Sequence, residues 1–258
     1  WPGFRKVRKQ VCKRLARRLK QLALADSDAY RHYLAQQPDE WQTLDRLCRV
    51  VVSRFYRDQR VFETLAEQVL PELARAAMAP GDRTLHCWSI GSASGEEPYT
   101  LAILWRQLLA ARFPDVALSI LATEVDPQLL ARSATGCYPM SSIRNLPAAL
   151  RDAAFDERDG DYCLKPVFRE MVEFRQQDIR ADLPAGQFHL ILCRNLVFTY
   201  FDDAQQAQIL AALQARLRPG GWLVVGVHET LPAAVDGLSI VSERLGLYRK
   251  DDQRIRLD

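Results

Sequence analysis

Apolar residues recur at positions 4, 7, 11, 15, 19 and 22, with charges between them, a period that predicts an amphipathic helix over Phe4–Leu22. Helical spacing continues through Asp28–Leu34, Glu40–Val52 and Val61–Ala77. The turn-rich Met78-Ala-Pro-Gly-Asp-Arg83 then breaks the pattern and predicts a boundary, with a helical domain over 1–78 and a second domain over 79–258. Beyond it the texture alternates. Leu85–Ile90 and Val116–Ala122 read as buried strands, separated by a small-residue loop and a helix over Glu97–Ala111. Asp126-Pro127 opens another helix, Asp as N-cap and Pro at the first helical position. Val172–Phe174, Phe188–Leu192 and Trp222–Val227 are further strands, the last introduced by Arg218-Pro-Gly-Gly221. Leu238–Val241 and Gly246–Arg249 form a closing hairpin. Strands alternating with helices predict an α/β fold with a parallel, doubly wound, Rossmann-like sheet. The segment Cys137–Met171 lacks a long helix and is read as a small excursion from that sheet.

Composition narrows the class without changing the picture. With 258 residues, 48% of them apolar and 26% charged, the chain has the make-up of a globular protein. No apolar run approaches the ~18 residues of a membrane span. Trp1-Pro2-Gly3-Phe4 has no apolar signal region, and the missing initiator Met points to a trimmed amino end. The cysteines at 12, 48, 87, 137, 163 and 193 make no C-x-x-C pair, which argues against a zinc site and gives no hint of a disulfide framework. A reduced, cytoplasmic protein without bound metal is the expectation. Charge does change the picture. Arg5, Lys6, Arg8, Lys9, Lys13, Arg14, Arg17, Arg18 and Lys20 lie together with no acid among them, so the other 26 basic residues face 32 acids. A basic helix precedes an acidic body.

Candidate chemistry falls where an open α/β sheet binds ligands, beyond the carboxyl ends of its strands. In Gly91-Ser-Ala-Ser-Gly95-Glu-Glu-Pro98 two glycines let the backbone approach a ligand, and two acids follow at once. The motif is neither the G-x-G-x-x-G of dinucleotide binders nor a P-loop. Acids there repel a pyrophosphate but suit a cationic ligand such as S-adenosylmethionine. Alternatively, Glu96 and Glu97 only favour a helix amino terminus. Glu124, at the end of the second strand, is placed to accept the hydroxyls of an adenosine ribose.

Taken together, these stretches resemble the CheR-type chemotaxis receptor methyltransferases. Trp88-Ser-Ile-Gly-Ser-Ala-Ser-Gly-Glu-Glu-Pro-Tyr-Thr100 is similar to the family's cofactor loop. Ala122-Thr-Glu-Val-Asp126 with Gly136-Cys-Tyr138, Cys193-Arg-Asn195 with Tyr200-Phe-Asp202, and Leu217-Arg-Pro-Gly-Gly221 also match, in the family's order. Ser53-Arg-Phe-Tyr-Arg57-Asp58 resembles its T-x-F-F-R-[DE]. The resemblance implies a class I methyltransferase sheet, S-adenosylmethionine as cofactor, and transfer of its methyl group to receptor glutamates in a bacterial chemotaxis system. It implies Glu97 at the methionine amino group, Glu124 at the ribose, and Asp178 and Ile179 near the adenine. Arg194 and Asn195 line the methionine side, Gly91 belongs to the cofactor-binding loop, Ser53 and Arg57 close the pocket, and Arg57 with Tyr200 orients the substrate. Residues 137–171 occupy the place of a small β-subdomain that some members use to dock a receptor tail.

Several positions depart from the family pattern. Val51 replaces Asn, Glu124 replaces Asp, and His228-Glu-Thr230 differs from H-S-E. Asn195-Leu-Val-Phe-Thr-Tyr200 is one residue longer than N-x-x-I-Y, which allows Thr199 or Phe198 to stand in for Tyr200.

A glutamate acceptor is ionised at neutral pH, with an unperturbed pKa near ~4.3, so no general base is required. None of the four histidines forms a nucleophile–base pair in the pattern; only His228 falls near a strand's carboxyl end. The basic helix suits an acidic helical partner such as a chemoreceptor coiled coil. It lacks the aromatic interleaving expected for nucleic acid. The departures keep two other readings open: a different protein or small-molecule acceptor, and a module that senses the cofactor without turnover.

Overall fold

The computed structural model describes residues 2–48, 53–78, 83–232 and 236–252. It divides into two compact units, residues 1–52 and 53–258. In the first, α1 (Pro2–Gln21), α2 (Ser27–Gln36) and α3 (Glu40–Cys48) follow one another. Asp26 caps α2 by accepting from the Asp28 and Ala29 amides. Glu40, buried at the start of α3, is the joint of this unit. It accepts from Arg18 Nε at 2.9 Å and Nη2 at 2.6 Å, and from the Tyr30 hydroxyl at 2.8 Å. A buried carboxylate with three donors is compensated.

The second unit begins with the loop 53–58. There α4 (Gln59–Thr64) passes through a π turn at Leu65–Val69 into α5 (Leu70–Ala77). The boundary expected between residues 78 and 79 is therefore displaced to 52/53. Val61, Phe62, Leu65, Val69, Leu70 and Leu73 are buried in the same core as Leu85 and Cys87, so these helices belong with the sheet. Helical periodicity alone does not reveal which core a helix joins.

The sheet strands are β1 (Thr84–Ile90), β2 (Ala117–Glu124), β6 (Val172–Gln176), β7 (Phe188–Cys193), β8 (Leu217–Val225), β9 (Leu238–Ser242) and β10 (Leu247–Lys250). Their order is β6-β2-β1-β7-β8-β10-β9. The first five are parallel, and β10 runs antiparallel between β8 and β9. The doubly wound α/β reading holds, closing hairpin included. Along β8, Leu217 faces Phe188 and Trp222 already faces Leu190, so Arg218–Gly221 bulges out of the ladder. Order reverses between β1 and β7, which puts the ligand crevice over the ends of β1, β2 and β7. Helices α6 (Glu96–Leu104), α7 (Pro127–Thr135) and α12 (Asp203–Arg216) cross over, and the single turn α11 (Val197–Tyr200) follows β7. Helix α6 is apolar on all sides because it is buried on all sides.

The excursion after α7 holds β3 (Cys137–Tyr138), α8 (Met140–Ile143), α9 (Ala148–Ala154), β4 (Phe155–Arg158), β5 (Asp161–Leu164) and α10 (Pro166–Arg169). Its strands form a separate antiparallel sheet, β3-β5-β4. Pairing sets Cys137 opposite Cys163, and the two are joined as a disulfide. This corrects the expectation of a chain without disulfides: a separation of 26 residues says nothing until the strands pair. The loop 53–58 is anchored by Phe55, fully buried edge-on to Tyr138 and Phe155 at 4.8 and 5.2 Å between ring centres.

Candidate active site

Strand β1 ends at Ile90, and the chain turns over Gly91, whose amide bonds the Thr123 carbonyl of β2 at 2.8 Å. Gly95 then caps α6 at φ +90°, with Phe174, Ser133 and Tyr99 each 3.0 Å from where a Cβ would stand. A side chain there meets backbone strain and crowding together. The resulting loop, buried from Ser92 to Gly95, delivers Glu96 and Glu97 in the first turn of α6.

Glu97 accepts from the Ser89 hydroxyl at 2.8 Å and from Arg194 Nη1 at 3.0 Å. Arg194 is almost wholly buried. It reaches Asp58 at 2.6 Å and the Arg57 carbonyl at 3.1 Å, with its guanidinium 5.2 Å from the Phe62 ring centre. One arginine thus ties the loop 53–58 to the end of β7 and to α6. Only its Nε lacks a partner. Two carboxylates around a buried guanidinium meet its charge, which burial otherwise makes costly.

Glu124 ends β2 with Oε1 accepting from the Val125 and Asp126 amides and Oε2 from the Ala93 amide. Its carboxyl is pushed above the usual range, chiefly by burial and against those backbone donors. Glu96 is buried and faces the Ser53 hydroxyl, and burial raises its carboxyl as well. Glu96 Oε2 and the buried Ser92 hydroxyl have no hydrogen-bond partner. Three acids, two of them held above their ordinary pKa, suit a ligand that brings positive charge and hydroxyl donors. S-adenosylmethionine is such a ligand, and the donor set fits it.

Beyond β7, Asn195 adopts φ +57° and Tyr200 ends α11. The Tyr200 phenol is raised mainly by burial, lowered by Arg57 and raised by Glu229, so it lies within electrostatic reach of both. With the longer spacing Tyr200 keeps an electrostatic influence from Arg57. Thr199 points elsewhere, donating to Glu229 Oε1 at 2.6 Å, and Phe198 is buried.

The structure therefore links Glu97, Arg194 and the Arg57 carbonyl by hydrogen bonds, with Tyr200 within electrostatic reach of Arg57, while Gly91 and Glu124 stand at the ends of β1 and β2. Ser53 reaches Glu96. Asp178 stands apart in its bonding: its carboxylate is held by Arg180 through the backbone amide, Nε and Nη2, at 2.6–3.1 Å. Ile179 is buried beside Trp88 and Ile90. Val51 lies outside the described residues. Sequence reasoning missed Asp58 and Ser89 as parts of the site, offered Thr199 only as a stand-in for Tyr200, and took Glu229 only as a departure from a motif. Asp58 carried a signal, since it closes the motif that begins at Ser53.

Residues 51–246 match the family described as "CheR methyltransferase, SAM binding domain". Among relatives, "Chemotaxis protein methyltransferase 2" of Pseudomonas aeruginosa is 33% identical over 225 residues, 85% of this chain and 77% of that protein. "Probable chemotaxis protein methyltransferase" of Rhizobium etli is 29% identical over 254 residues, 93% of each chain. An uncharacterized 104.1 kDa protein of Rhodobacter capsulatus is 32% identical over 242 residues, and this chain spans 93% of itself but 25% of that protein. With its acid-lined crevice at the switch point of the sheet, and with this match over most of its length, the chain belongs to the CheR methyltransferase family.

Proposed function

We propose that this chain is a cytoplasmic S-adenosylmethionine-dependent methyltransferase whose acceptor is a glutamate side chain of a chemoreceptor-like protein. The observation that supports the reading is that Tyr200 lies within electrostatic reach of Arg57, while the Arg57 carbonyl and Glu97 are joined through Arg194. A cationic fork and a phenol facing acids form a place for two ligands of opposite charge.

In this reading the bound cofactor supplies an electrophilic methyl group on a sulfonium. Glu97 takes the ammonium of its methionine part and Glu124 a ribose hydroxyl through Oε2, which has one protein donor. Arg194 holds Glu97 in place and closes the loop 53–58 down, which brings Arg57 over the crevice. Arg57 binds the acceptor carboxylate in a bidentate fork, and the Tyr200 hydroxyl donates to it. The acceptor is already ionised at neutral pH, so no residue need remove a proton. Alignment and exclusion of water remain as the protein's task, and good alignment alone lowers a barrier by up to ~7–11 kcal/mol.

Incubation with radiolabelled cofactor and an acidic receptor fragment should give label released as methanol by base, as a carboxyl ester requires. Arg57→Ala should lower kcat/KM by about 10²-fold, the scale for losing a charged orienting contact. Base-stable label would move the acceptor to another group. Cofactor binding with no transfer would make the chain a sensor.

A further inference from the structure

Glu229 is a buried acid near Asn195 and Tyr200 that the reading above does not use. Only 5% of it is exposed, yet both oxygens are engaged by strong donors. Oε2 accepts from the Asn195 amide at 2.7 Å and the Gly226 amide at 2.6 Å, and Oε1 from the Thr199 hydroxyl at 2.6 Å. One carboxylate thus joins the turn after β8 to both ends of the segment that leads from β7 to Tyr200. Gly226 has no alternative here: a Cβ would stand 2.5 Å from Asn195 Nδ2 and 2.7 Å from Glu229 Oε2.

The segment needs such a tether. Asn195 sits in the left-handed region, which few side chains other than Asn and Asp adopt and which its surroundings must hold in place. The turn α11 is four residues long, and its Thr199 and Tyr200 amides both bond the Leu196 carbonyl. A single turn has no cooperativity of its own. Bonds of 2.6–2.7 Å to the two carboxyl oxygens are short, and they fix Asn195 and Thr199 at once. Thr199 immediately precedes Tyr200, whose phenol must reach the acceptor. The spacing from Asn195 to Tyr200 is one residue longer than the common family spacing, and the longer turn contains the hydroxyl that Glu229 holds.

We propose that Glu229, acting through Thr199, is a positioning residue that sets Tyr200 against the acceptor carboxylate, and that the longer spacing is accommodated by this tether. The inference rests on the carboxylate-acceptor reading above. A purely structural strap makes a different prediction: loosening it lowers stability and cofactor affinity without singling out the transfer step.

The test compares Thr199→Val, which keeps shape and removes the donor, with Thr199→Ser, which restores it. Thr199→Val should lower kcat by about 10- to 100-fold, the penalty for an orienting group misplaced by about an ångström. Acceptor KM and the Kd for S-adenosylhomocysteine should stay within about twofold. Thr199→Ser should recover most of kcat. An unchanged kcat in Thr199→Val, a parallel loss of cofactor affinity, or no recovery with serine would each overturn the tether. If the wild type itself yields no base-labile ester, the acceptor reading has failed, and hydrogen exchange decides the tether alone. Faster exchange confined to the Thr199 and Tyr200 amides in Thr199→Val supports it, and unchanged exchange there refutes it.

Discussion

At the scale of single residues the crevice is unusual in how much negative charge it keeps from water. Glu96 and Glu124 are both raised by burial, so folding works against their ionised forms. For Glu96 the sign follows directly. The folded state holds its proton more tightly than the unfolded chain, whose carboxylates titrate near ~4.3. The contribution to stability is therefore fully present below the unfolded value and is lost as pH rises through the raised folded one. Replacing Glu96 by Gln removes that loss. The variant should melt about 2–4 °C above wild type at neutral pH, as roughly 1 kcal/mol does in a chain of this size. The gap should close on acidification through the carboxylate range. A variant that melts lower at pH 7, or a gap independent of pH, contradicts the assignment. Glu124→Gln tests the other acid by calorimetry with S-adenosylhomocysteine. One amide keeps shape and bulk but gives up a charged acceptor, a loss of about 1.5–3 kcal/mol or roughly 10- to 100-fold in Kd. Equal affinity would move the ribose elsewhere.

At the scale of elements the site depends on a short loop held from two sides. Phe55 is fully buried against Tyr138 and Phe155, while the Tyr56 amide bonds the Thr100 hydroxyl of α6 at 3.1 Å. Truncating Phe55 to Ala should cost about 3–5 kcal/mol in urea unfolding. It should also lower transfer activity at temperatures where the variant remains folded, because Arg57 lies two residues on. A stable variant with full activity would mean that the anchor is dispensable. The same loop shows where the sequence was legible. Strand and helix periods located the core of each main sheet strand, because buried strands and amphipathic helices print their period directly. Of the motif residues, Arg194 bonds Glu97 and the Arg57 carbonyl, and Tyr200 lies within electrostatic reach of Arg57. What periodicity hides is long-range partnership. Helices α4 and α5 look like those before them yet join the sheet core, and Cys137 finds Cys163 only through strand pairing. Asp58 pairs with Arg194 across 136 residues, a link no local spacing encodes. Glu229, too, reads as a departure from a motif until the chain folds it beneath Asn195.

At the scale of the whole molecule, charge is divided between a basic helix and an acid-rich remainder. Among the side chains the structure describes, it separates seven cations of α1 by what they do. Arg18 is consumed within its own unit by Glu40, and Arg14 reaches the Leu47 carbonyl at 3.4 Å. Arg8, Lys9, Lys13, Arg17 and Lys20 are exposed. An isolated exposed charge adds little to stability, so five on one helix carry weight only through the field they make together. Such a field acts on encounter: it would raise the association rate for any acidic partner and is screened within about 10 Å at 0.1 M salt. Changing Lys9, Lys13 and Arg17 together to Glu should therefore lower kcat/KM on an acidic receptor fragment at low salt by about tenfold or more. It should also flatten the decline of kcat/KM with added salt that the wild type displays. Arg18 is left intact in that variant, since its loss would strand a buried Glu40 and confound steering with folding. Titrating kcat/KM against ionic strength separates the two possibilities. If the charge-reversed chain keeps the wild-type salt slope, the field that meets the acceptor arises elsewhere on the molecule, and the basic helix serves another partner.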